Sequence, residues 1–109
     1  MEKAEDLLTR VRQSAERKVL FLPHALRQML RIDRMIMRAE VRRVVKEGCV
    51  IEEYPGDARG HSCLLLGLGD GRRPIHVVCA PKTDYLAIIT AYLPDPAEWA
   101  EDYKRRITP

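Results

Sequence analysis

Aromatic residues are scarce in this 109-residue chain, 6% in all with one Trp and one Phe, and cysteine occurs only three times. An odd, small number of cysteines excludes a complete disulfide framework and agrees with a reducing cytoplasm. Cys49, Cys63 and Cys79 are widely spaced, with no Cys-x-x-Cys or His-x-x-x-His pattern to build a zinc site. They read as small strand hydrophobes, and neither a metal nor a cofactor is expected. Long apolar runs are missing too. The longest, such as Tyr85 to Thr90, fall far below the roughly 20 residues that span a bilayer, so no membrane partner is expected. The opening MEKAEDLLTR carries charges of both signs where a secretory signal needs an apolar core, which argues for a cytoplasmic protein. A nucleotide phosphate loop is also lacking. GLGDGRRP leads from one strand to another, without a Lys-Ser/Thr pair or a receiving helix, and reads as a hairpin turn.

What is present is a globular composition, 46% apolar and 32% charged, on a length that suits a single domain over residues 1–109. The formal charge of +3 is unevenly spread. Residues 1–48 hold 12 Lys and Arg against 7 Asp and Glu, and residues 49–109 hold 7 against 9. A basic half beside a slightly acidic one is a mild pointer to a polyanionic partner, although arginine-rich helices are commonly just solvated.

Leu7, Leu8, Val11 and Ala15 recur at helical spacing and predict an amphipathic helix over Glu2 to Arg17. Val19 to Leu22 form a short apolar link. Pro23 suits the first position of a second helix, whose apolar residues Leu26, Met29, Leu30, Ile36, Val41, Val44 and Val45 continue to a stop at Gly48. About 25 residues is long for one helix, so a break within Arg31 to Arg38 is plausible, with Asp33 as a cap. Four short apolar runs follow, near Cys49 to Tyr54, Ser62 to Leu68, Pro74 to Ala80 and Tyr85 to Leu93, joined by turn-like PGDARG, GDGRR and PKTD. Pro94-Asp-Pro starts a short last helix through Trp99 and Tyr103. The fold class is α+β, with N-terminal helices followed by a four-stranded antiparallel sheet and a short C-terminal helix.

Within that frame His24 is expected at the second helical position, where its imidazole would be a candidate general base. A surface histidine near a helix start is the plainer alternative. Arg27, Arg31, Arg34, Arg38 and Arg42 follow at steps of three and four, so an unbroken helix would carry them on one stripe suited to a phosphate backbone. A break would scatter them. On the last strand strict alternation puts Thr90 and Tyr92 on one face with Leu86 and Ile88, offering two hydroxyls that orient a phosphate or protonate a leaving oxygen, or that merely favour the strand. His76 on the neighbouring strand is a second proton carrier or, more readily, a satisfied core histidine.

PHAL at 23–26, GCVIEEYP at 48–55, SCLLLG at 62–67, RPIHVV at 73–78, IITAY at 88–92 and PDPAEW at 94–99 stand in order along the chain. Together they resemble the family catalogued as domain of unknown function 4258, over nearly the whole length. That resemblance implies a small bacterial toxin of the RelE-like kind, within the barnase, EndoU, colicin and RelE group of metal-independent ribonucleases, with a microbial-RNase-like fold. It implies His24 on an N-terminal helix and Thr90 and Tyr92 on the last strand as catalytic positions, with His76 the histidine of Pro-x-His-Val-Val. Members often have an arginine four residues after the first histidine, where this chain has Gln28, so Arg27, Arg31 or Arg34 would take the phosphate role.

The expectation is thus an mRNA-interferase type endoribonuclease of a toxin–antitoxin system, whose partners are RNA and an antitoxin protein of the zinc-finger type. The alternative is a non-catalytic RNA- or protein-binding module of the same fold. Uncovered sheet edges leave a homodimer open, with no interface identified.

Overall fold

A computed structural model describes residues 3–107. Helix α1 (Ala4–Arg17) buries Leu7, Val11 and Ser14, close to the predicted stripe; Glu2, the expected first residue, lies outside the described residues. Strand β1 (Val19–Phe21), helices α2 (Pro23–Met29) and α3 (Arg38–Glu47), then strands β2 (Cys49–Tyr54), β3 (Ser62–Leu68), β4 (Pro74–Pro81) and β5 (Leu86–Tyr92) follow. The architecture is α+β, a five-stranded mixed sheet in the order β1-β5-β4-β3-β2.

Two expectations about the sheet and its ends are corrected. Val19 to Phe21 is no link but a fifth strand, parallel to β5, with Val19 beside Leu86 and Phe21 beside Ile88. Its backbone continues the ladder on both sides, since the Leu86 amide donates to the Lys18 carbonyl and the Leu22 amide to the Ile88 carbonyl, at 2.8 and 3.1 Å. Nor does a helix follow Pro94. The Glu98 and Trp99 amides donate back to Asp95, but the Ala100 amide turns forward to the Arg105 carbonyl at 2.8 Å. Trp99 then bridges to Arg106, so the segment folds back on itself and lays Trp99 into the molecule, 3% exposed.

The long helix from Pro23 to Gly48 is two helices. At 100° per residue, Val45 would stand roughly 160° round from Ala25 on a continuous helix, so one straight helix would not bury both against the sheet, yet both are buried. The chain breaks after Met29, Met35 takes a left-handed φ of 45°, and Ile36 drops into the core while its amide donates to the Met29 carbonyl at 2.8 Å. Asp33 does not cap α3; it pairs with Arg31 at 3.3 Å. Met37 is the N-cap residue, and its amide donates to the Glu40 carboxylate at 2.9 Å. Glu40 is 1% exposed, takes Arg73 at 2.9 Å, and receives the Asp70 amide at 2.8 Å. Arg73 also donates to the carbonyls of Arg34 and Met35, at 2.6 and 2.9 Å, and so holds the irregular connection in place.

One side of the sheet carries the core, where Leu7, Val11, Met29, Val41 and Val44 meet Leu65, Val77, Cys79 and Ile88. Where α3 gives way to β2, a Cβ on Gly48 would stand 2.5 Å from the Val44 and Leu66 carbonyl oxygens, so the turn admits only glycine without a shift. The register between β4 and β5 slips at Ile89: Val78 pairs with Thr90, whereas Cys79 pairs with Ile88. That bulge corrects the alternation expected for β5. Ile88 and Ala91 both face the helices, and Thr90 and Tyr92 share the opposite face with Val78 and His76.

Candidate functional site

His24 is the second residue of α2 and is exposed. It lines an open cleft of about 460 Å³ together with Thr90 and Ile89 of β5, Val78 of β4, Tyr54 at the end of β2, and Asp57 and Arg59 of the β2–β3 turn. His24 and Thr90 therefore line one surface, brought there by the parallel β1–β5 pairing that starts α2 beside β5 and by the bulge that turns Thr90 outward.

The turn supplying Arg59 is built around Asp57. Its carboxylate accepts the Arg59 amide at 2.9 Å, Nε at 3.1 Å, Nη2 at 3.2 Å and the Ser62 hydroxyl at 2.7 Å. Those bonds, led by the Arg59 side chain, hold the Asp57 carboxyl well below the usual carboxylate range. The Arg59 side chain remains 58% exposed, and Arg59 lines the cleft. Lys82 binds the Arg59 carbonyl and steadies the turn from β4's end.

Tyr54 contributes its ring to the cleft while its hydroxyl donates to Glu52 at 2.6 Å. Burial and that bond push the phenol above its ordinary value. Glu52 in turn receives both arms of Arg106, at 2.9 and 3.1 Å, which draws its carboxyl below the usual value. The Arg106 guanidinium lies 4.6 Å above the Trp99 ring.

His76 and Tyr92 share the face of Thr90 but are covered by the chain from Pro94 onward and do not line the cleft. His76 is fully buried, its ring edge-on to Trp99 at 4.5 Å. The Tyr103 carbonyl, 2.8 Å from Nε2, can only accept, so Nε2 carries the proton and Nδ1 accepts from the Tyr92 hydroxyl at 3.3 Å. Burial lowers the His76 pKa, and burial raises that of Tyr92.

The arginine stripe is dispersed by the break in the helix. Arg27 is exposed on α2, Arg31 pairs with Asp33, and Arg34 reaches Gln28 at 3.3 Å. Arg38 and Arg42 lie over the Phe21 ring at 5.5 and 5.8 Å. None of the five lines the cleft of His24; its guanidinium is that of Arg59. The sequence signal for Arg59 was the Asp-x-Arg-Gly turn itself, in which a satisfied Asp57 leaves a neighbouring cation presented to solvent. Among the described residues no three His, Cys, Asp or Glu side chains cluster as metal ligands, and no helix is long and apolar enough to cross a membrane.

Residues 21–93 match a family model described as "Domain of unknown function (DUF4258)". The chain belongs to the DUF4258 family. No curated protein and no solved structure matches it. The matched DUF4258 region contains every residue lining the His24 cleft, and also His76 and Tyr92; α1 and the covering segment after Leu93 flank it.

Proposed function

We propose that this DUF4258 protein is an endoribonuclease of the toxin type, acting without a metal at the His24 cleft, with RNA as substrate and an antitoxin protein as the partner that restrains it. The observation that carries this reading is the shared cleft of His24, Thr90 and Arg59. An imidazole, a hydroxyl and a guanidinium on one open surface are the groups that an internal phosphodiester transfer requires. In that transfer His24 removes the proton from a ribose 2′-hydroxyl, the 2′-oxygen attacks phosphorus, and the bond to the 5′-oxygen breaks. The products are a 2′,3′-cyclic phosphate and a 5′-hydroxyl, whose proton comes from water in the open cleft. Arg59 holds the charged phosphate oxygens, Thr90 donates to one of them, and the Tyr54 ring with Val78 offers an apolar wall for a base.

Tyr92 and His76 are assigned no proton-transfer step. The Tyr92 hydroxyl and the His76 ring satisfy each other beneath the C-terminal segment. The Tyr54 hydroxyl is likewise committed to Glu52, and the Asp57 carboxylate to Arg59 and Ser62, which favours a second reading as an RNA-binding module without turnover.

Purified protein incubated with a long single-stranded RNA in excess chelator decides between them. Cleavage to fragments ending in 2′,3′-cyclic phosphate, reduced on the order of 100-fold or more in His24→Ala and in Arg59→Ala, supports the nuclease. Binding without cleavage, weakened in Arg59→Ala, supports the module. Cleavage equal in all three proteins overturns the assignment.

A further inference from the structure

The sheet ends at β1 on one side, and that edge is open. The Leu86 amide donates to the Lys18 carbonyl and the Leu22 amide to the Ile88 carbonyl, which sets the phase of the parallel ladder. Lys18, Leu20 and Leu22 therefore turn their backbone groups toward β5, while Val19 and Phe21 turn theirs, two amides and two carbonyls, away from it. Among the described residues none of these four groups has a hydrogen-bond partner. An unpaired row of this kind is a template for a further strand.

The side chains beside this edge define the strand that fits it. Val19 and Phe21 pack against the core on the helix side, and Leu20 points to the opposite side, 37% exposed. On the helix side a cleft of about 310 Å³ includes Val19, with Ala15 and Val45 as further apolar lining and with Arg12, Arg42 and Lys46 against Glu16 alone. Arg38, Arg42 and Lys46 recur at every fourth position of α3 and so run in one line along it, Arg38 and Arg42 lying over the Phe21 ring. No ion pair joins Arg38, Arg42, Lys46 or Glu16 to another described residue. Arg12 donates to the Val45 and Gly48 carbonyls at 3.1 and 3.0 Å, which fixes its charge in the wall of the cleft. The helix side of the open edge is therefore cationic over an apolar lining.

We propose that β1 is the docking edge for an extended acidic segment of a partner protein, which adds to the sheet beyond Val19 and Phe21 and bonds to their free amides and carbonyls. Residues of the added strand that face the helices are acidic, their stems over the apolar lining and their carboxylates among Arg38, Arg42 and Lys46. The alternate residues are apolar and lie beside Leu20. An RNA strand would meet the cations but would leave the backbone groups of the edge unmatched, so a peptide is the occupant favoured. The opposite edge of this same sheet, β2, does not supply it in a second copy, because Arg106 holds Glu52 at 2.9 Å and His61 stands 3.3 Å from Glu53. No residue of the His24 cleft takes part, so the inference does not rest on the nuclease reading.

The probe is a capped synthetic peptide of about eight alternating glutamate and valine residues, titrated into the isotope-labelled full chain and followed by amide chemical shifts and hydrogen exchange. It is expected to bind with a Kd of about 10–300 µM, to slow exchange at the Val19 and Phe21 amides about tenfold or more, and to weaken as salt rises from about 0.05 to 0.5 M. Two N-methylated versions, one blocked at every glutamate amide and one at every valine amide, separate strand addition from charge attraction. One should lose binding and the other keep it, because only alternate amides of an added strand face β1. Arg42→Glu and Lys46→Glu, each shown to be folded by circular dichroism, should weaken binding about tenfold. No binding at about 1 mM peptide overturns the proposal. So does binding indifferent to both N-methylated versions, or to Arg42→Glu and Lys46→Glu. A single-stranded RNA that displaces the peptide and shifts the same amides more strongly would overturn it in favour of a nucleic-acid surface.

Discussion

Tyr92 gives its hydroxyl proton to His76 Nδ1 across 3.3 Å, because the opposite ring nitrogen is spent on the Tyr103 carbonyl. Removing that hydroxyl in Tyr92→Phe leaves a buried nitrogen without a donor. The expected loss is about 1–3 kcal/mol of folding free energy by urea titration, with RNA cleavage or binding altered by less than roughly threefold. A variant that stays equally stable but loses activity would put Tyr92 in the reaction.

Acid should unfold the protein in two stages. His76 is held below its ordinary 6.5 by burial, so the unfolded chain binds a proton there that the folded chain refuses, and stability falls as pH drops below that value. Burial raises Glu40, but the bonds from Arg73 and from the Met37 and Asp70 amides outweigh it, and Glu40 ends below its ordinary 4.5. Arg106, first among several influences, also brings Glu52 below 4.5. The stability these carboxylates contribute is complete above that value and is lost as pH falls through their folded values. Urea midpoints measured from about pH 8 to 3 should decline below 6.5 and again, more steeply, below 4.5. His76→Gln should erase the first decline and leave the second.

Replacing Glu40 strands Arg73. Glu40→Gln is expected to destabilise the fold by about 3 kcal/mol and to speed hydrogen exchange at the Ile36 amide, since the connection after Met29 hangs on Arg73. The exposed Arg43–Asp70 pair, at 3.2 Å, is the control: Arg43→Ala should change stability by less than about 1 kcal/mol. Equal losses in the two variants would mean that the buried pair does not organise this region.

Gly48→Ala tests the α3–β2 corner. The new methyl meets two carbonyl oxygens of the main chain, which cannot rotate away, and the melting transition should report a loss of about 1–3 kcal/mol. An unchanged transition would show that α3 and β3 can separate at that corner.

Local chemistry made much of this molecule legible in its sequence. Cys49 to Tyr54 and Ser62 to Leu68 are strands over those very residues, because turn signals bracket runs of strand formers. Pro23 starts α2, Gly48 ends α3, and the placing of His24 on a helix with Thr90 on the last strand survives in a common cleft. Features that depend on distant partners were not legible. Val19 to Phe21 is three residues long, and only the unpaired flank of β5, some 67 positions away by the register of Val19 with Leu86, makes it a strand. The bulge at Ile89 changes which face Thr90 occupies without leaving a mark on the apolar pattern. Arg59 sat in a turn, where the expected stripe of helix arginines drew the phosphate role elsewhere.

The parallel pairing of β1 with β5 also bears on how the chain comes into being. β1 docks on β5, the last strand of the sheet, so that contact cannot form until synthesis has passed Tyr92. His24 leaves the exit tunnel long before the surface it shares with Thr90 can form. The cleft is therefore completed only in a late step, once β5 has been made.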